Sequence, residues 1–491
     1  MADASFLAID LGAESGRAIL GRLDDHLTLE EIHRFSNGPV RVGRQIHWDV
    51  LRLWTEIQNG LRIAAESAGD SLAGMGLDTW GVDYGLLDAS DQLIGNPFHY
   101  RDARTDGMVE AACQIVPREE IYNQTGIQFM QLNTLFQLFA MRQENSPALQ
   151  YAATLLTMPD LFNFWLTGRK ANEFTISTTT QCYNPREKRW ASDLLAALDI
   201  PSHIFQQIVQ PGVVLEQLRV SVAEDASCKR IPVVAVGSHD TASAVAAIPA
   251  EGRDFIYISS GTWSLIGIES DEPIINANSL KYNLTNEGGV CDTIRFLKNI
   301  MGMWLLQESR RQWARSGKSY SYDELTNLAA DAPAFRSFIF VDDHRFLAPG
   351  EMVDRIQAFC RETEQPIPQT PAEVVRCILE SLAFEYRWGT EKLRELSGKA
   401  LPTIHIIGGG SRNRLINQFT ADATGCEVIA GPVEATAIGN MLLQAFALNQ
   451  LSSLQEGRAL VRHSFDVTFY EPKNHPAWDE IYSRYLSLRK G

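Results

Sequence analysis

The sequence predicts an α/β protein of two domains that begin in a similar way. A strand, a glycine-containing turn and a second strand open the chain, and the same pattern returns shortly after residue 250. Helices and strands then alternate in the last quarter of the chain. With 491 residues, and about 150 residues in a typical domain, the chain is long enough for two large domains. We expect an N-terminal domain over residues 1–250 and a C-terminal domain over residues 251–491.

The first 90 residues contain three predicted strands, a helix and a fourth strand. The strands are predicted at residues 6–10, 17–23, 30–35 and 72–77. Asp49 is a suitable N-cap for the helix, whose apolar residues recur at helical spacing: Val50, Leu53, Trp54, Ile57, Leu61 and Ala64. Three strands before the first helix differ from the strict alternation of a simple doubly wound fold.

The second half starts with a similar hairpin and continues with helices and strands. Strands are predicted at 255–259 and 262–268, on either side of Ser260-Gly261. Thr370 and Glu373 form a capping box around Pro371, which predicts a helix that runs to Gly398. The remaining predictions are a strand at 404–407, a helix that ends near Gly425, a strand at 427–430 and a final helix from about Glu434.

The composition argues against several functional classes. Hydrophobic residues make up 45% of the chain and charged residues 21%, which is typical of a globular protein. The formal net charge of −16 disfavours nucleic-acid and membrane-surface binding, because those partners are anionic. No signal peptide is visible, and the seven scattered cysteines include no CxxC pair. We expect a cytoplasmic protein that binds a small molecule, with no nucleic-acid or membrane partner.

Three glycine-containing loops at predicted strand ends can bind phosphate, although the common nucleotide motifs are absent. A P-loop would need glycine at Gln312, and a dinucleotide fingerprint would need glycine at Thr79. The three loops are Asp10-Leu11-Gly12 with Ser15-Gly16, Ser259-Ser260-Gly261-Thr262 and Gly408-Gly409-Gly410. Small residues let backbone N–H groups approach an anion in each loop. An ordinary hairpin turn or a tight strand-to-helix connection also explains these loops, so both interpretations stay open.

A carboxylate beside an imidazole follows the apolar segment Val233–Val236. Asp240 can act as a general base that accepts a hydroxyl proton, provided that the substrate oxygen lies within hydrogen-bond reach. Asp240 or Thr241 also suits the N-cap of the helix that follows, and both roles are compatible. His239 is more suited to positioning or packing than to a second catalytic role.

The segment Leu77–Tyr84 places two acids and an indole around Gly81. This composition suits the hydroxyl groups and apolar carbons of a polyol, and a buried tryptophan corner is the structural alternative.

Several longer segments resemble a known family in order and spacing. They are GLDTWGVDYGLLD at 76–88, YRDARTDG at 100–107, GSHDTASA at 237–244, SSGTWSL at 259–265, NEGG at 286–289 and KNIMGMWLLQ at 298–307. Together with the Asp10–Gly12 hairpin and the Gly408–Gly410 loop, they are similar to the FGGY carbohydrate kinases. The likeness runs from Ser5 to the C-terminal region.

The resemblance implies two actin-like, RNase H-like domains around an interdomain cleft. It implies ATP-dependent phosphorylation of L-rhamnulose at O1, in L-rhamnose catabolism, with Asp240 as the general base and Asp10 holding Mg²⁺ through water. The residues that it implies for sugar binding are Gly81, His239, Asp240, Thr241 and Asn299. The residues that it implies for the nucleotide are Ala13, Glu14, Ser15, Gly16, Arg17, Thr262, Gln307 and Gly409. Glu14 stands where a small polar residue is more common, so we expect only its backbone to contribute.

Two other functions stay open on the sequence alone. A kinase of the same family for L-fuculose, xylulose or a related polyol would share the fold and the phosphate loops, because a few hydroxyl contacts set the choice of sugar. An actin-like ATPase switch would hydrolyse ATP without sugar and would need no base at Asp240. The expected assembly state is a monomer or a homodimer.

Overall fold

The computed structural model describes residues 4–489. Its strands are β1 (Ala4–Leu11), β2 (Ser15–Leu23), β3 (Leu27–Ser36), β4 (Pro39–Val42), β5 (Gln45–Trp48), β6 (Leu72–Thr79), β7 (Tyr84–Leu87), β8 (Thr154–Thr157), β9 (Asn172–Glu173), β10 (Tyr183–Asn184), β11 (Arg189–Trp190), β12 (Ile208–Val209), β13 (Val213–Gln217), β14 (Pro232–Ala235), β15 (Phe255–Ser260), β16 (Ser264–Ser270), β17 (Thr285–Gly288), β18 (Ile294–Ile300), β19 (Thr403–Ile407), β20 (Glu427–Ala430) and β21 (Thr468–Tyr470).

The helices, in the same chain order, are α1 (Val50–Ala68), α2 (Met108–Ile115), α3 (Arg118–Thr125), α4 (Thr134–Gln143), α5 (Pro147–Tyr151), α6 (Met158–Thr167), α7 (Phe174–Thr179), α8 (Ser192–Ala197), α9 (Val220–Asp225), α10 (Asp240–Ala246), α11 (Ala277–Lys281), α12 (Trp304–Arg315), α13 (Tyr322–Asp331), α14 (Met352–Glu362), α15 (Pro371–Ser397), α16 (Arg414–Thr424), α17 (Ala435–Ala447), α18 (Leu454–Ser464) and α19 (His475–Leu488). None of the helices described between residues 4 and 489 combines the length and the hydropathy needed to cross a lipid bilayer.

Two compact units are built from interleaved parts of the chain. The first unit contains the chain up to Glu251, together with Glu269–Phe296 and Ala435–Phe465. The second unit contains Gly252–Ile268, Leu297–Glu434 and the chain from Asp466 onward. The chain therefore leaves the first unit after Glu251 and returns to it twice. The division into an N-terminal domain over 1–250 and a C-terminal domain over 251–491 stays a prediction.

A six-stranded sheet forms the centre of the first unit, in the order β13-β14-β6-β1-β2-β3. β1 is antiparallel to β2 and parallel to β6, which is in turn parallel to β14. Helix α1 begins after Asp49, whose carboxylate accepts a hydrogen bond of 3.3 Å from the Arg52 N–H. The predicted apolar stripe of this helix is buried except for Trp54, which is half-buried. The three strands, the helix and the strand predicted at the start of the chain are confirmed.

The second unit is also built on a sheet, in which β16, β15, β19, β20 and β21 are consecutive neighbours. β15, β19 and β20 run parallel, and β15 forms an antiparallel hairpin with β16. Thr370 caps helix α15 in a capping box with Glu373, and Gly398 ends it with a left-handed φ of 68°. The capping-box helix is therefore confirmed at both ends. The hairpin strand begins at Ser264 rather than at residue 262, because the Gly261 N–H bonds the Trp263 carbonyl and tightens the turn.

One sequence prediction about the elements needs correction, and one pair of strands was not predicted. The helix near Glu434 is present as α17, but α18, β21 and α19 follow it. The buried face of α19 consists of Trp478, Tyr482 and Tyr485, which recur at helical spacing. The hairpin of β4 and β5 was not predicted either, because β4 is wholly exposed and carries no buried face.

Candidate active site

Three chain segments of the first unit meet at one edge of its sheet. β14, β6 and β1 are parallel neighbours, so the residues after their carboxyl ends lie side by side. This places Asp10, Asp78 and the His239-Asp240 pair at the same edge. A backbone hydrogen bond of 2.9 Å from the Thr79 N–H to the Ser238 carbonyl fixes two of these segments together.

Asp240 is the first residue of helix α10, and His239 occupies the N-cap position. The prediction that Asp240 or Thr241 caps the helix is therefore wrong by one or two residues. A parallel bridge between Thr79 and His239 keeps residue 239 extended, so the helix begins directly after it.

One oxygen of the Asp240 carboxylate is held and the other is not. Oδ1 accepts hydrogen bonds from the Thr241 N–H at 2.6 Å and from Thr241 Oγ1 at 3.2 Å. His239 Nε2 lies 3.5 Å from the same oxygen. Within the described chain, Oδ2 of Asp240 accepts no hydrogen bond, so this oxygen is available to a substrate proton.

The surroundings of Asp240 strengthen it as a proton acceptor. Its side chain is 31% exposed, and the His239 side chain is 10% exposed. Loss of surrounding water raises the pKa of Asp240 above its ordinary value, and the charge of Asp10 adds to this effect. A carboxylate with a raised pKa takes a proton more readily at neutral pH.

Gly81 lies in front of the His239 ring. A Cβ atom at Gly81 would lie 3.5 Å from His239 Nε2 and 3.3 Å from Thr179 Oγ1. A side chain at this position would therefore fill the space beside the imidazole. Of the residues predicted for sugar binding, the structure brings together Gly81, His239, Asp240 and Thr241 in the first unit.

Trp80 and Asp83 form a buried tryptophan corner. Asp83 Oδ2 accepts hydrogen bonds from Trp48 Nε1 at 2.6 Å and from Trp80 Nε1 at 3.0 Å. Oδ2 also accepts one from the Tyr100 N–H at 3.2 Å, and Oδ1 accepts a fourth from Gln137 Nε2 at 2.9 Å. Burial raises the pKa of Asp83 to about 6. The polyol-binding interpretation is wrong for Asp83, because its carboxylate is enclosed by these donors.

Asp10 is the second-last residue of strand β1 and forms an ion pair with Arg17. Asp78 lies beside Asp10, because the two residues are partners in the parallel register of β1 and β6. Asp78 Oδ2 accepts a hydrogen bond of 2.5 Å from Asn440 Nδ2, whereas Oδ1 is buried without a partner among the described residues. Burial raises the pKa of Asp78 well above its ordinary value, and the neighbouring charge of Asp10 adds to this effect.

The carboxylates at this edge fit a magnesium ion that phosphates and water help to hold. Between residues 4 and 489, no group of three or more His, Cys, Asp or Glu residues could hold a metal ion. Mg²⁺ is commonly bound by one or two carboxylates together with substrate phosphates, and oxygen is its preferred donor. Asp10 offers one such carboxylate at this edge, whereas Asp78 beside it is fully buried.

The turn after β1 is tightly held by its own backbone. The Gly12 N–H donates to the Ser15 carbonyl at 3.0 Å, and Asn37 Nδ2 donates to the Gly12 carbonyl at 2.7 Å. The half-buried residues of the turn region are Gly12, Ala13, Glu14, Ser15 and Arg17. Gly16 is buried, and a Cβ atom there would lie 2.2 Å from the Phe35 ring, so packing requires glycine at this position.

Two of the predicted phosphate loops lie next to each other in the second unit. A Cβ atom at Gly410 would lie 2.0 Å from Ser260 Oγ, and one at Gly408 would lie 3.1 Å from the Ser260 carbonyl oxygen. Gly408 also has a φ of 81°, which favours glycine. By contrast, Gly409 is exposed, and a Cβ atom there would meet no atom within 4 Å.

Helix α12 starts at the same turn. The Trp304 N–H donates to the Thr262 carbonyl at 3.0 Å, and Gln307 lies one turn further along the helix. Oε1 of Gln307 is buried and has no hydrogen-bond partner among residues 4–489. Thr262, Gln307 and Gly409 therefore surround one turn of the second unit. Asn299 belongs to this unit too, whereas the other four predicted sugar-binding residues belong to the first unit.

Comparison with solved structures identifies the fold. A gluconate kinase from Lactobacillus acidophilus superposes with a TM-score of 0.81 at 16% sequence identity, and the match covers 100% of this chain and 98% of that chain. At this level of identity, the likeness concerns the fold. The chain therefore has a two-domain α/β architecture with an actin-like fold, and the predicted fold class is confirmed.

Comparison of the sequence identifies the family. The FGGY family of carbohydrate kinases matches with its N-terminal domain at residues 5–247 and with its C-terminal domain at residues 256–448. A rhamnulokinase from Bacteroides thetaiotaomicron is 45% identical, over 97% of this chain and 98% of that protein. A rhamnulokinase from Oceanobacillus iheyensis is 43% identical, over 94% of this chain and 97% of that protein. The chain belongs to the FGGY family of carbohydrate kinases, enzymes that phosphorylate a small-molecule sugar with ATP.

Three residues beside the site were not assigned to it from the sequence. Thr179 approaches Gly81, and Arg295 and Glu287 lie against the His239 ring. Glu287 belongs to the NEGG segment, which was singled out for its resemblance but received no role. Thr179 and Arg295 stand in no pattern that could have indicated them.

Proposed function

We propose that this protein transfers the γ-phosphoryl group of ATP to O1 of L-rhamnulose and yields L-rhamnulose 1-phosphate and ADP, in L-rhamnose catabolism. Two rhamnulokinases that match over nearly their full length support the choice of sugar. The observation that carries the proposal is the Asp240 carboxylate, which has one oxygen held by Thr241 and the other available. It stands next to His239 and the space that Gly81 leaves open.

Asp240 acts as the general base in this proposal. O1 of the sugar attacks the γ-phosphorus, so the O1–P bond forms while the bond between the γ-phosphorus and the bridging oxygen breaks. The proton of O1 passes to Oδ2 of Asp240, and ADP leaves with the electron pair of the broken bond. Thr241 holds the carboxylate in one orientation, and catalysis relies on positioning and on stabilisation of the phosphoryl charge.

The sugar is held by the residues around this base. Gly81 leaves room for the carbon skeleton, because any side chain there would approach the His239 ring. His239, Thr241 and Asn299 offer hydrogen-bonding groups to the sugar hydroxyls. The tryptophan corner holds the Gly81 segment in place from behind, through the bonds of Asp83.

The nucleotide is held by backbone groups and by a few side chains. Ala13, Glu14, Ser15, Gly16 and Arg17 border the phosphates in the first unit, with Glu14 contributing backbone only. Thr262 contacts a terminal phosphate through its hydroxyl group and the turn backbone. Gln307 offers its unpartnered Oε1 to a nucleotide donor, and the exposed Gly409 lets the nucleotide lie against the backbone. The assignment of Gly409 is supported by the free space around it, because a Cβ atom there would meet no atom within 4 Å.

Asp10 would hold Mg²⁺ through water. Arg17 keeps this carboxylate paired with a positive charge. When bound, Mg²⁺ supplies positive charge that stabilises the phosphate groups. The cytoplasmic location and the monomeric or homodimeric state stay predictions.

Sugar-dependent ADP release tests the proposal. The purified protein is given ATP and Mg²⁺ with L-rhamnulose, L-fuculose, D-xylulose or glycerol, and initial rates of ADP formation are compared at equal sugar concentrations. The proposal predicts a clear preference for L-rhamnulose. Activity with another sugar alone would retain the kinase and reject this substrate. ADP release that no sugar changes would favour an ATPase and remove the role of Asp240.

A further inference from the structure

A buried ion pair lies directly behind His239. The side chain of Arg295, on β18, has no exposed surface, and that of Glu287, on β17, is 5% exposed. Arg295 Nη2 lies 3.2 Å from Glu287 Oε2. Burying a guanidinium group costs free energy unless the charge is paired, and Glu287 provides that pairing. The pair therefore brings a fixed, permanently charged donor to the inner side of the imidazole.

Arg295 donates a hydrogen bond to the His239 ring. Its Nη2 lies 3.0 Å from His239 Nδ1, and its Nε donates to the Gly288 carbonyl at 2.8 Å. The second bond fixes the plane of the guanidinium group. A guanidinium group has only donors, so Nδ1 must be the acceptor and carries no proton. The single proton of a neutral imidazole then lies on Nε2.

Nε2 is the nitrogen that faces the proposed sugar site. It lies 3.5 Å from Asp240 Oδ1, and it is 3.5 Å from the position that a Cβ atom of Gly81 would occupy. An Nε2–H group in this place donates a hydrogen bond to an oxygen of the sugar. An Nε2 without a proton could only accept one.

The other tautomer of His239, with its proton on Nδ1, also has a hydrogen-bond acceptor within reach. Glu287 Oε2 lies 3.3 Å from His239 Nδ1, close enough to accept a hydrogen bond from a protonated Nδ1. Without Arg295, the carboxylate would draw the ring proton to Nδ1 and leave Nε2 as an acceptor. Arg295 prevents this by donating to both Nδ1 and Oε2.

We propose that Arg295 is a positioning residue that sets the tautomer of His239, so that Nε2–H donates to a hydroxyl oxygen of the bound sugar. The inference about the tautomer stands on the contacts in the first unit, and its consequence for the sugar rests on the proposed function. Arg295 does not touch the sugar in this account. It acts through the ring, and its effect belongs to sugar binding rather than to nucleotide binding.

Nitrogen NMR of the histidine rings tests the tautomer without any sugar. The full-length protein is labelled with ¹⁵N-histidine, and the His239 signals are assigned by their loss in a His239→Gln sample. A protonated and an unprotonated ring nitrogen have well-separated shifts, so the spectrum reports which nitrogen carries the proton. We expect an unprotonated Nδ1 and a protonated Nε2 in the wild type. A proton on Nδ1 of the wild-type protein would overturn the inference.

Variants at Arg295 test the cause. In Arg295→Met, which removes the donors, we expect the ring proton to move to Nδ1 and the KM for L-rhamnulose to rise about 10- to 100-fold, the effect of losing one buried hydrogen bond. The KM for ATP should stay within about twofold. A folded Arg295→Met protein with the proton still on Nε2 would overturn the inference. Arg295→Lys keeps a charged donor beside Glu287 and should keep the proton on Nε2.

The outcomes also separate this inference from the proposed function. If Arg295→Met fails to fold, as circular dichroism would show, the wild-type spectrum and Arg295→Lys decide the tautomer. A wild-type proton on Nε2 with no sugar phosphorylated would contradict the proposed function and leave the tautomer standing. If Arg295 has only a structural role, Arg295→Met will have a lower melting temperature but the same position of the ring proton. That result would overturn the inference.

Discussion

Asp240 is the residue on which the proposed chemistry depends most directly. Oδ2 of Asp240 is available to accept a proton, and loss of surrounding water raises the pKa of the Asp240 carboxyl group. Replacing it as Asp240→Asn keeps the shape of the side chain but removes the proton acceptor. We expect kcat with L-rhamnulose to fall by about 10²- to 10⁴-fold, the range for a positioned general base. Steady-state kinetics measures this, with circular dichroism to check the fold.

Asp331→Asn is the matched control for this variant. Asp331 is an exposed residue at the end of helix α13, in the second unit, and Asp331→Asn is the same substitution as Asp240→Asn. Its kcat should equal that of the wild type. A near-normal rate in Asp240→Asn would remove Asp240 as the base.

His99 links the stability of the fold to pH. Its ring packs 4.3 Å from Trp48 and 4.5 Å from Tyr100, and Nδ1 accepts a hydrogen bond of 3.0 Å from the Arg101 N–H. Burial lowers the pKa of His99 from 6.5 to about 3. Below pH 6.5 the unfolded chain therefore binds a proton that the folded protein does not. The contribution of His99 to stability is intact above pH 6.5 and is lost as the pH falls toward 3.

The variant His99→Phe should lack this dependence. The loss amounts to about 1.4 kcal/mol for each pH unit below the unfolded pKa. Between about pH 7.5 and about pH 5, the free energy of unfolding of the wild type should thus fall by about 2 kcal/mol more than that of the variant. Urea unfolding at the two pH values measures the difference. Parallel losses in the two proteins would show that the folded ring takes up the proton.

Helices α10 and α17 pack at a glycine contact in the first unit. A Cβ atom at Gly439 would lie 1.7 Å from the Ser243 carbonyl oxygen. A backbone oxygen cannot rotate away as a side chain can, so Gly439→Ala must push the two helices apart. This outweighs the higher helix propensity of alanine, which is worth about 1 kcal/mol. We expect the variant to lower the free energy of unfolding by about 1–3 kcal/mol, as overpacked sites do.

Urea unfolding at constant pH tests the glycine contact, with Gly38→Ala as the control. A Cβ atom at Gly38 would meet no atom within 4 Å, so this variant should change stability by less than about 0.5 kcal/mol. Because α10 begins with Asp240, we also expect a lower kcat in Gly439→Ala. Unchanged stability in Gly439→Ala would mean that the helices do not pack as described.

Elements with local signals could be predicted from the sequence, and elements without them could not. The capping box at Thr370 and the left-handed Gly398 mark both ends of α15 within a few residues of sequence. The exposed hairpin β4–β5 offers no apolar face. The start of α10 was misplaced because the bridge from Thr79 to His239 decides it, and that partner lies on a distant strand.

At the scale of the whole molecule, the sequence order does not reveal which segments pack together. Asn440 of α17 bonds Asp78 across 362 residues of chain, within the same unit. Only the folded chain shows that Ala435–Phe465 belongs with the first sheet. The motif segments still indicated four residues that lie at one edge of this sheet: Asp10, Gly81, His239 and Asp240. They could not indicate Arg295, because its partner His239 stands 56 residues away.

The central claim is that the protein phosphorylates L-rhamnulose on O1 with ATP. Phosphorus NMR of a complete reaction tests it most directly, because it identifies the product and not only the release of ADP. A phosphate on O1 couples to the two protons of C1, whereas a phosphate on a secondary hydroxyl couples to one. We predict a sugar phosphate signal split by two protons, formed in equal amount with ADP. A signal split by one proton, or inorganic phosphate as the only new product, would contradict the claim.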